Sequence, residues 1–146
     1  TMAQAAPALS AEILDKINIR MTEQYAAYKA GATAENKAAA VAQLAQYKSD
    51  PEFANSHKAK MAKAYADADA DGDGRLNFAE YQVWEAALQA NQQAMGRWSE
   101  VGKAQENFDI INMVSEGDTI SMDDFRAVAG PMMVKFEELK AADEAQ

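Results

Sequence analysis

The stretch Asp67–Glu80, DADADGDGRLNFAE, decides how this chain is read. Acids alternate with alanine and glycine, and the segment then turns apolar. A hard cation such as Ca²⁺ takes roughly six to eight oxygens at once, drawn from carboxylates, carbonyls and water. A short loop supplies them by placing acids at alternate positions, folding sharply at a glycine in sixth place, and closing with a bidentate acid in twelfth place. The glycine is needed because the backbone there takes positive φ. Two frames compete. A start at Asp67 makes Asp67, Asp69 and Asp71 ligands and Gly72 the turn, but puts Gly74 where an apolar residue belongs and Phe78 where the closing acid must be. A start at Asp69 meets every requirement. Asp69, Asp71 and Asp73 alternate, Gly74 turns the chain, and Arg75 offers its backbone carbonyl. Leu76 points into a core, Asn77 reaches the ion directly or through water, and Glu80 closes as the bidentate ligand. The candidate metal ligands are therefore Asp69, Asp71, Asp73, Arg75, Asn77 and Glu80.

The flanks agree with the second frame: Tyr65 lies four residues before the loop, and Phe78 and Tyr81 open the helix after it. From about Ala54 to Ala90 these residues resemble the EF-hand family, and DADGDGRLNFAE (Asp69–Glu80) matches its loop consensus without departure. The resemblance implies a Ca²⁺-binding protein, with Mg²⁺ as a competitor, acting as a calcium sensor or buffer. It also implies a partner loop, because such hands pair through a short antiparallel bridge. NFDIINMVSEGDTISMDDF (Asn107–Phe125) has the outline: Phe108 precedes the loop, Ile120 is the apolar bridge residue, and Asp124 stands where the closing glutamate is usual. Counting back from Ile120 starts the loop at Met113 and puts Asp118 at the turn; counting forward from Phe108 starts it at Asn112 with one residue too many. In either count this degenerate loop, about 112–124, lacks ligands. It is expected to pair without binding calcium well, with Ser115, Glu116, Asp118 and Asp124 as the set for a weak or Mg²⁺-like site.

Further outward the pattern is helical almost throughout, and the expected fold class is all-α with seven or so helices. Leu14, Ile17, Met21, Tyr25 and Tyr28 recur at helical spacing after the candidate N-cap Ser10. Thr33 offers a second cap, followed by Val41, Leu44 and Tyr47. A capping residue ahead of Pro51 opens the helix that enters the acidic loop. Residues 10–50 are expected to form an N-terminal helical hairpin or a vestigial hand, and residues 51–146 an EF-hand pair. Residues 1–9 are expected to be a disordered tail. Gly96 is the candidate hinge between lobes, and Gly130–Pro131 should break or kink the last helix, since proline disfavours helix at the residue before it.

Composition narrows the function classes. The net charge of −9 argues against nucleic acid, whose phosphates need a basic face. There is no cysteine, so neither disulfides nor thiolate chemistry is available. No apolar run approaches the ~20 residues that span a bilayer, and TMAQAAPALS lacks the basic start and long apolar core of a secretory signal. A cytoplasmic protein is the expectation. His57 is the only histidine and reads as a surface residue beside Lys58 and Lys60. No phosphate loop, nucleophile elbow or zinc spacing occurs, so no catalytic residues are expected and the chain is not read as an enzyme. Met95, Met113, Met122, Met132 and Met133 either fill a core or line a groove for a protein or peptide target. The alternative to a sensor or buffer is a structural, light-chain-like interaction module in which the single metal site stabilises the fold.

Overall fold

The computed structural model describes residues 9–115 and 117–146; Glu116 and all but the last residue of the expected 1–9 tail lie outside the described residues. The described residues form six helices and one two-stranded sheet: α1 (Ala11–Gly31), α2 (Ala34–Ser49), α3 (Pro51–Ala68), β1 (Arg75–Leu76), α4 (Phe78–Ala94), α5 (Ala104–Asn112), β2 (Ile120–Ser121) and α6 (Met122–Glu144). Among them, no helix is long and apolar enough to cross a membrane. The helix starts follow local chemistry. Ser10 caps α1 through Ile13 N, Thr33 and Asn36 close a capping box on α2, and Asp50 accepts from Glu52 N and Phe53 N with Pro51 in the first turn of α3.

At the centre, β1 and β2 pair antiparallel with Leu76 opposite Ile120 and Arg75 opposite Ser121. Leu76 and Ile120 are fully buried, as is Val128, and Trp84, Ile111 and Ile17 are nearly so. Each such side chain contributes roughly 1.5–3 kcal/mol of apolar transfer energy, which places the weight of the fold directly beneath the two turns. Trp84 is boxed by aromatic rings, with Phe125 at 4.5 Å, Tyr65 at 5.2 Å and Tyr81 at 6.1 Å between centroids.

The expected N-terminal hairpin is not how the first two helices are used. Helix α1 packs mainly on α6 and also on α5, while α2 packs on α3. Ile13, Ile17 and Met21 belong to the same core as Leu76 and Ile120. The buried stripe of α1 is therefore rotated from the expected one: Ile13 is inside and Leu14 is 49% exposed. Helix α2 buries no residue, and its stripe is open, Val41 being 66% and Leu44 56% exposed.

Two expected breaks also behave otherwise. Gly96 does take positive φ (79°) after α4, but the turn is bolted to α2: Asn36 Nδ2 donates to the Gly96 carbonyl at 2.7 Å and Gln43 Nε2 to that of Met95 at 2.6 Å. With one core shared by α1 and the strands, it is a fastened corner rather than a hinge between lobes. Helix α6 runs unbroken through Gly130–Pro131. An interior proline costs about 3 kcal/mol, and packing on both sides of it offsets that. Val128 lies before it, while Met132, Phe136 and Leu139 pack on the core after it. Phe136 meets the rings of Tyr25 and Tyr28 of α1 at 5.7 and 5.3 Å.

Candidate metal centre

Helix α3 ends at the buried Ala68, and Asp69 caps it. The chain then turns through Gly72 (φ 69°) and Gly74 (φ 81°), both left-handed conformations that side chains resist. Three aspartates fold this turn with their own carboxylates. Gly74 N donates to Asp69 Oδ2 at 2.7 Å, Asp73 N to Asp71 Oδ1 at 3.2 Å, and Arg75 N to Asp73 Oδ1 at 2.9 Å. The result is that Asp69, Asp71 and Asp73 each offer an oxygen within 4.8 Å of the others. Asp69 Oδ1 is buried and has no hydrogen-bond partner. Buried polar atoms are normally satisfied, so such an oxygen on a residue of an acidic cluster fits a cation. Hard oxygen donors without nitrogen or sulfur suit Ca²⁺ or Mg²⁺.

Glu80 and Asn77 are placed differently. Asn77 caps α4 by accepting from Glu80 N at 2.9 Å, and Glu80 Oε1 accepts from Asn77 N at 3.0 Å. Glu80 Oε2 accepts from Ala70 N at 2.8 Å, and the side chain is buried. Glu80 thus ties the neck of the loop to its second residue and stands outside the three-aspartate cluster. Arg75 lies in β1. Tyr65 on α3 adds a strut, its hydroxyl donating to the Gly74 carbonyl at 2.7 Å. Burial, followed by the Asp69 charge, raises the Tyr65 phenol above its ordinary pKa, keeping it a donor.

The second turn repeats the frame with other chemistry. Helix α5 ends at Asn112 and Met113 caps it, the place that Asp69 holds after α3. Ser121 and Asp124 form a capping box on α6 equivalent to that of Asn77 and Glu80 on α4. These caps align Met113 with Asp69 and Asp124 with Glu80. Ser115, Gly117, Thr119 and Ser121 then stand where Asp71, Asp73, Arg75 and Asn77 stand in the first loop. The positive φ (111°) falls on Gly117, one residue earlier than Gly74 in the other turn. Among the described residues the acids of this loop form no cluster like that of Asp69, Asp71 and Asp73.

Around α4 the structure also holds a buried polar network that the sequence pattern did not disclose. Arg20 of α1, 3% exposed, pairs with Glu100, and its Nε donates to Asn107 Oδ1 at 2.9 Å. Asn107 Nδ2 donates to Glu85 Oε1 at 2.7 Å, and the Tyr81 hydroxyl donates to the same oxygen at 2.9 Å. Burial and then the Glu85 charge push the Tyr81 phenol up. The available signal was Arg20 itself, a charge three residues beyond Ile17 on an apolar stripe. His57, expected on the surface, is half-buried with its ring against Tyr47 at 6.0 Å. Of the methionines, Met122 and Met132 pack on the core whereas Met113 and Met133 are exposed.

No protein-family model, no curated protein and no solved structure matches this chain.

Proposed function

We propose that the loop 69–80 binds one calcium ion and that the chain is a calcium-binding protein of the EF-hand type, a sensor or buffer. The observation that carries this is the convergence of Asp69, Asp71 and Asp73, together with a buried, unpartnered oxygen on Asp69, in the frame whose twelfth residue is Glu80. The oxygens of Asp69, Asp71, Asp73, Asn77 and Glu80 and the Arg75 carbonyl would hold the ion. When bound, it supplies the positive charge that this group of carboxylates lacks. The chain's own residues set the rest. Gly72 and Gly74 let the turn close, and Tyr65 braces it from α3. Both Glu80 oxygens are engaged by backbone N–H groups, so giving either to a cation exchanges a hydrogen bond for a ligand bond. Because Glu80 sits in the first turn of α4, that exchange bears directly on the helix carrying Tyr81 and Trp84.

Calorimetric titration of metal-stripped protein with Ca²⁺, in millimolar Mg²⁺, tests the proposal. One site with Kd of ~10⁻⁷–10⁻⁵ M is expected for a sensor. Absence of heat and of any Ca²⁺-dependent change in Trp84 fluorescence overturns it. Apolar-dye binding that rises with Ca²⁺ marks a sensor, and unchanged dye binding marks a buffer.

One observation favours the second reading, a structural or light-chain-like interaction module. Leu14, Ile17, Pro131 and Val134, with the polar Asn18, Lys135 and Glu138, line an open groove of about 630 Å³ between α1 and α6. In that reading the metal stabilises the fold, and a partner helix lies on exposed apolar residues such as Leu14 and Val134.

A further inference from the structure

In the first loop Arg75 is needed only for its backbone carbonyl, and its side chain leaves that loop altogether. Nε donates to Thr119 Oγ1 at 2.8 Å. Nη2 donates to the Thr119 carbonyl oxygen at 2.9 Å and to Asp124 Oδ2 at 3.3 Å. In the register set by Leu76 opposite Ile120, Thr119 and Asp124 are the seventh and twelfth residues of the second loop. A seventh-place carbonyl and a twelfth-place carboxylate are two of the groups such a loop turns toward a bound cation. We infer that the Arg75 guanidinium is an internal cation for the second loop, a positioning residue that keeps β1 and β2 paired without a metal there.

The chemistry of the second loop suits this occupant. A divalent ion needs several acids, and Met113, Ser115 and Gly117 replace three of them. A single carboxylate beside a carbonyl instead matches the planar fork and permanent single charge of a guanidinium. Asp124 is 20% exposed and Arg75 38%, so the carboxylate is partly withdrawn from water while the guanidinium stays partly open to it. Asp124 Oδ2 also accepts from Ser121 N at 2.9 Å, which couples the arginine to the start of α6. At the other end, the Arg75 backbone N–H is held by Asp73. One residue thereby joins a proposed calcium ligand to the closing acid of the second loop. The inference rests on the loop register behind the calcium reading but not on calcium itself.

The test is made on the full chain without metal, by amide hydrogen exchange of Leu76 and Ile120 and by the ¹⁵N–¹H resonances of the arginine Nε groups. Arg75→Gln should speed exchange at the strand pair about tenfold. Asp124→Asn, which retains an oxygen for the helix cap, should do the same, and the double variant should be no faster than Arg75→Gln alone. Arg126→Gln, which removes an exposed cation beside Asp123, should change nothing. In the wild type the Arg75 Nε proton should exchange slowly, and in Asp124→Asn it should exchange as fast as that of Arg126. Unchanged protection in Arg75→Gln, multiplicative effects in the double variant, or an Arg75 Nε that already exchanges as fast as that of Arg126 overturns the inference. Because no calcium is present, any of these results leaves the calorimetric test of the first loop standing.

Discussion

Leu76 and Ile120 face each other at the centre of the molecule, each followed by a capping box and a long helix, yet the turns leading to them are built differently. The first gathers three aspartates and leaves a buried oxygen without a partner. The second keeps one closing carboxylate, and an arginine from the first turn lies on it. The lesson is that packing and charge can be specified separately. The apolar residue and the cap recur in both turns, while the acids do not.

That comparison breaks first at its shared part. Leu76→Ala and Ile120→Ala should each cost roughly 2–5 kcal/mol, since both remove a fully buried side chain. Urea unfolding that gave a large loss for one and under ~1 kcal/mol for the other would mean that the two strands are not equivalent supports. Next comes the closing acid. Glu80→Gln should weaken Ca²⁺ binding about a hundredfold, near 2.7 kcal/mol, whereas Asp124→Asn should leave the calorimetric stoichiometry unchanged. Equal affinity for wild type and Glu80→Gln would refute the ligand frame.

The turns themselves come third. Gly74→Ala forces a side chain into φ 81° and should destabilise the protein by about 1–2 kcal/mol. Gly117→Ala should cost a similar amount although the loop around it is poor in ligands, because the strain is in the backbone; urea midpoints at constant m-value check both.

A region remote from both loops sharpens the contrast through pH. The Tyr25 hydroxyl donates to Asp143 Oδ2 at 2.6 Å, pinning α1 to the end of α6. That hydrogen bond, with burial and the Asp143 charge, pushes the Tyr25 phenol up to about 12. The same bond, with that from Lys29, holds Asp143 below the usual carboxylate range. A raised phenol contributes stability that is complete below its ordinary pKa near 10 and lost as pH climbs through about 12. A depressed carboxylate contributes stability present above its ordinary pKa and lost as pH falls through the lowered one. The tie should therefore hold across the middle of the pH range. Ultraviolet titration should show one tyrosine near 12 that returns toward 10 in Asp143→Asn, with or without Ca²⁺.

The smallest effect belongs to α2: Leu44→Ser should change stability by no more than ~0.5 kcal/mol, because that side chain is already 56% exposed. A loss above 1 kcal/mol in thermal unfolding would mean that its face is covered in solution.

Much of this architecture is legible in one dimension because it depends on near neighbours. The alternation of Asp69, Asp71 and Asp73, the glycine at 74, and the caps at Ser10, Thr33 and Asp50 act over a few residues, so spacing alone exposes them. By contrast, the stripe Val41, Leu44 and Tyr47 has the same helical period as a buried one, and period cannot say whether another helix arrives to cover it. Pro131 inside α6 and the fastened corner at Gly96 depend likewise on partners far along the chain.

The sequence by itself determined the helical character, the alternating acids of the first loop and the scarcity of acids in the second, because these follow from residue type and local spacing. Only the tertiary structure decided that α1 belongs to the central core, that Arg20 is buried against Glu100 and Asn107, and that Arg75 reaches across to Asp124. Each of these joins residues tens of positions apart, and such pairings are settled by which surfaces exclude water together.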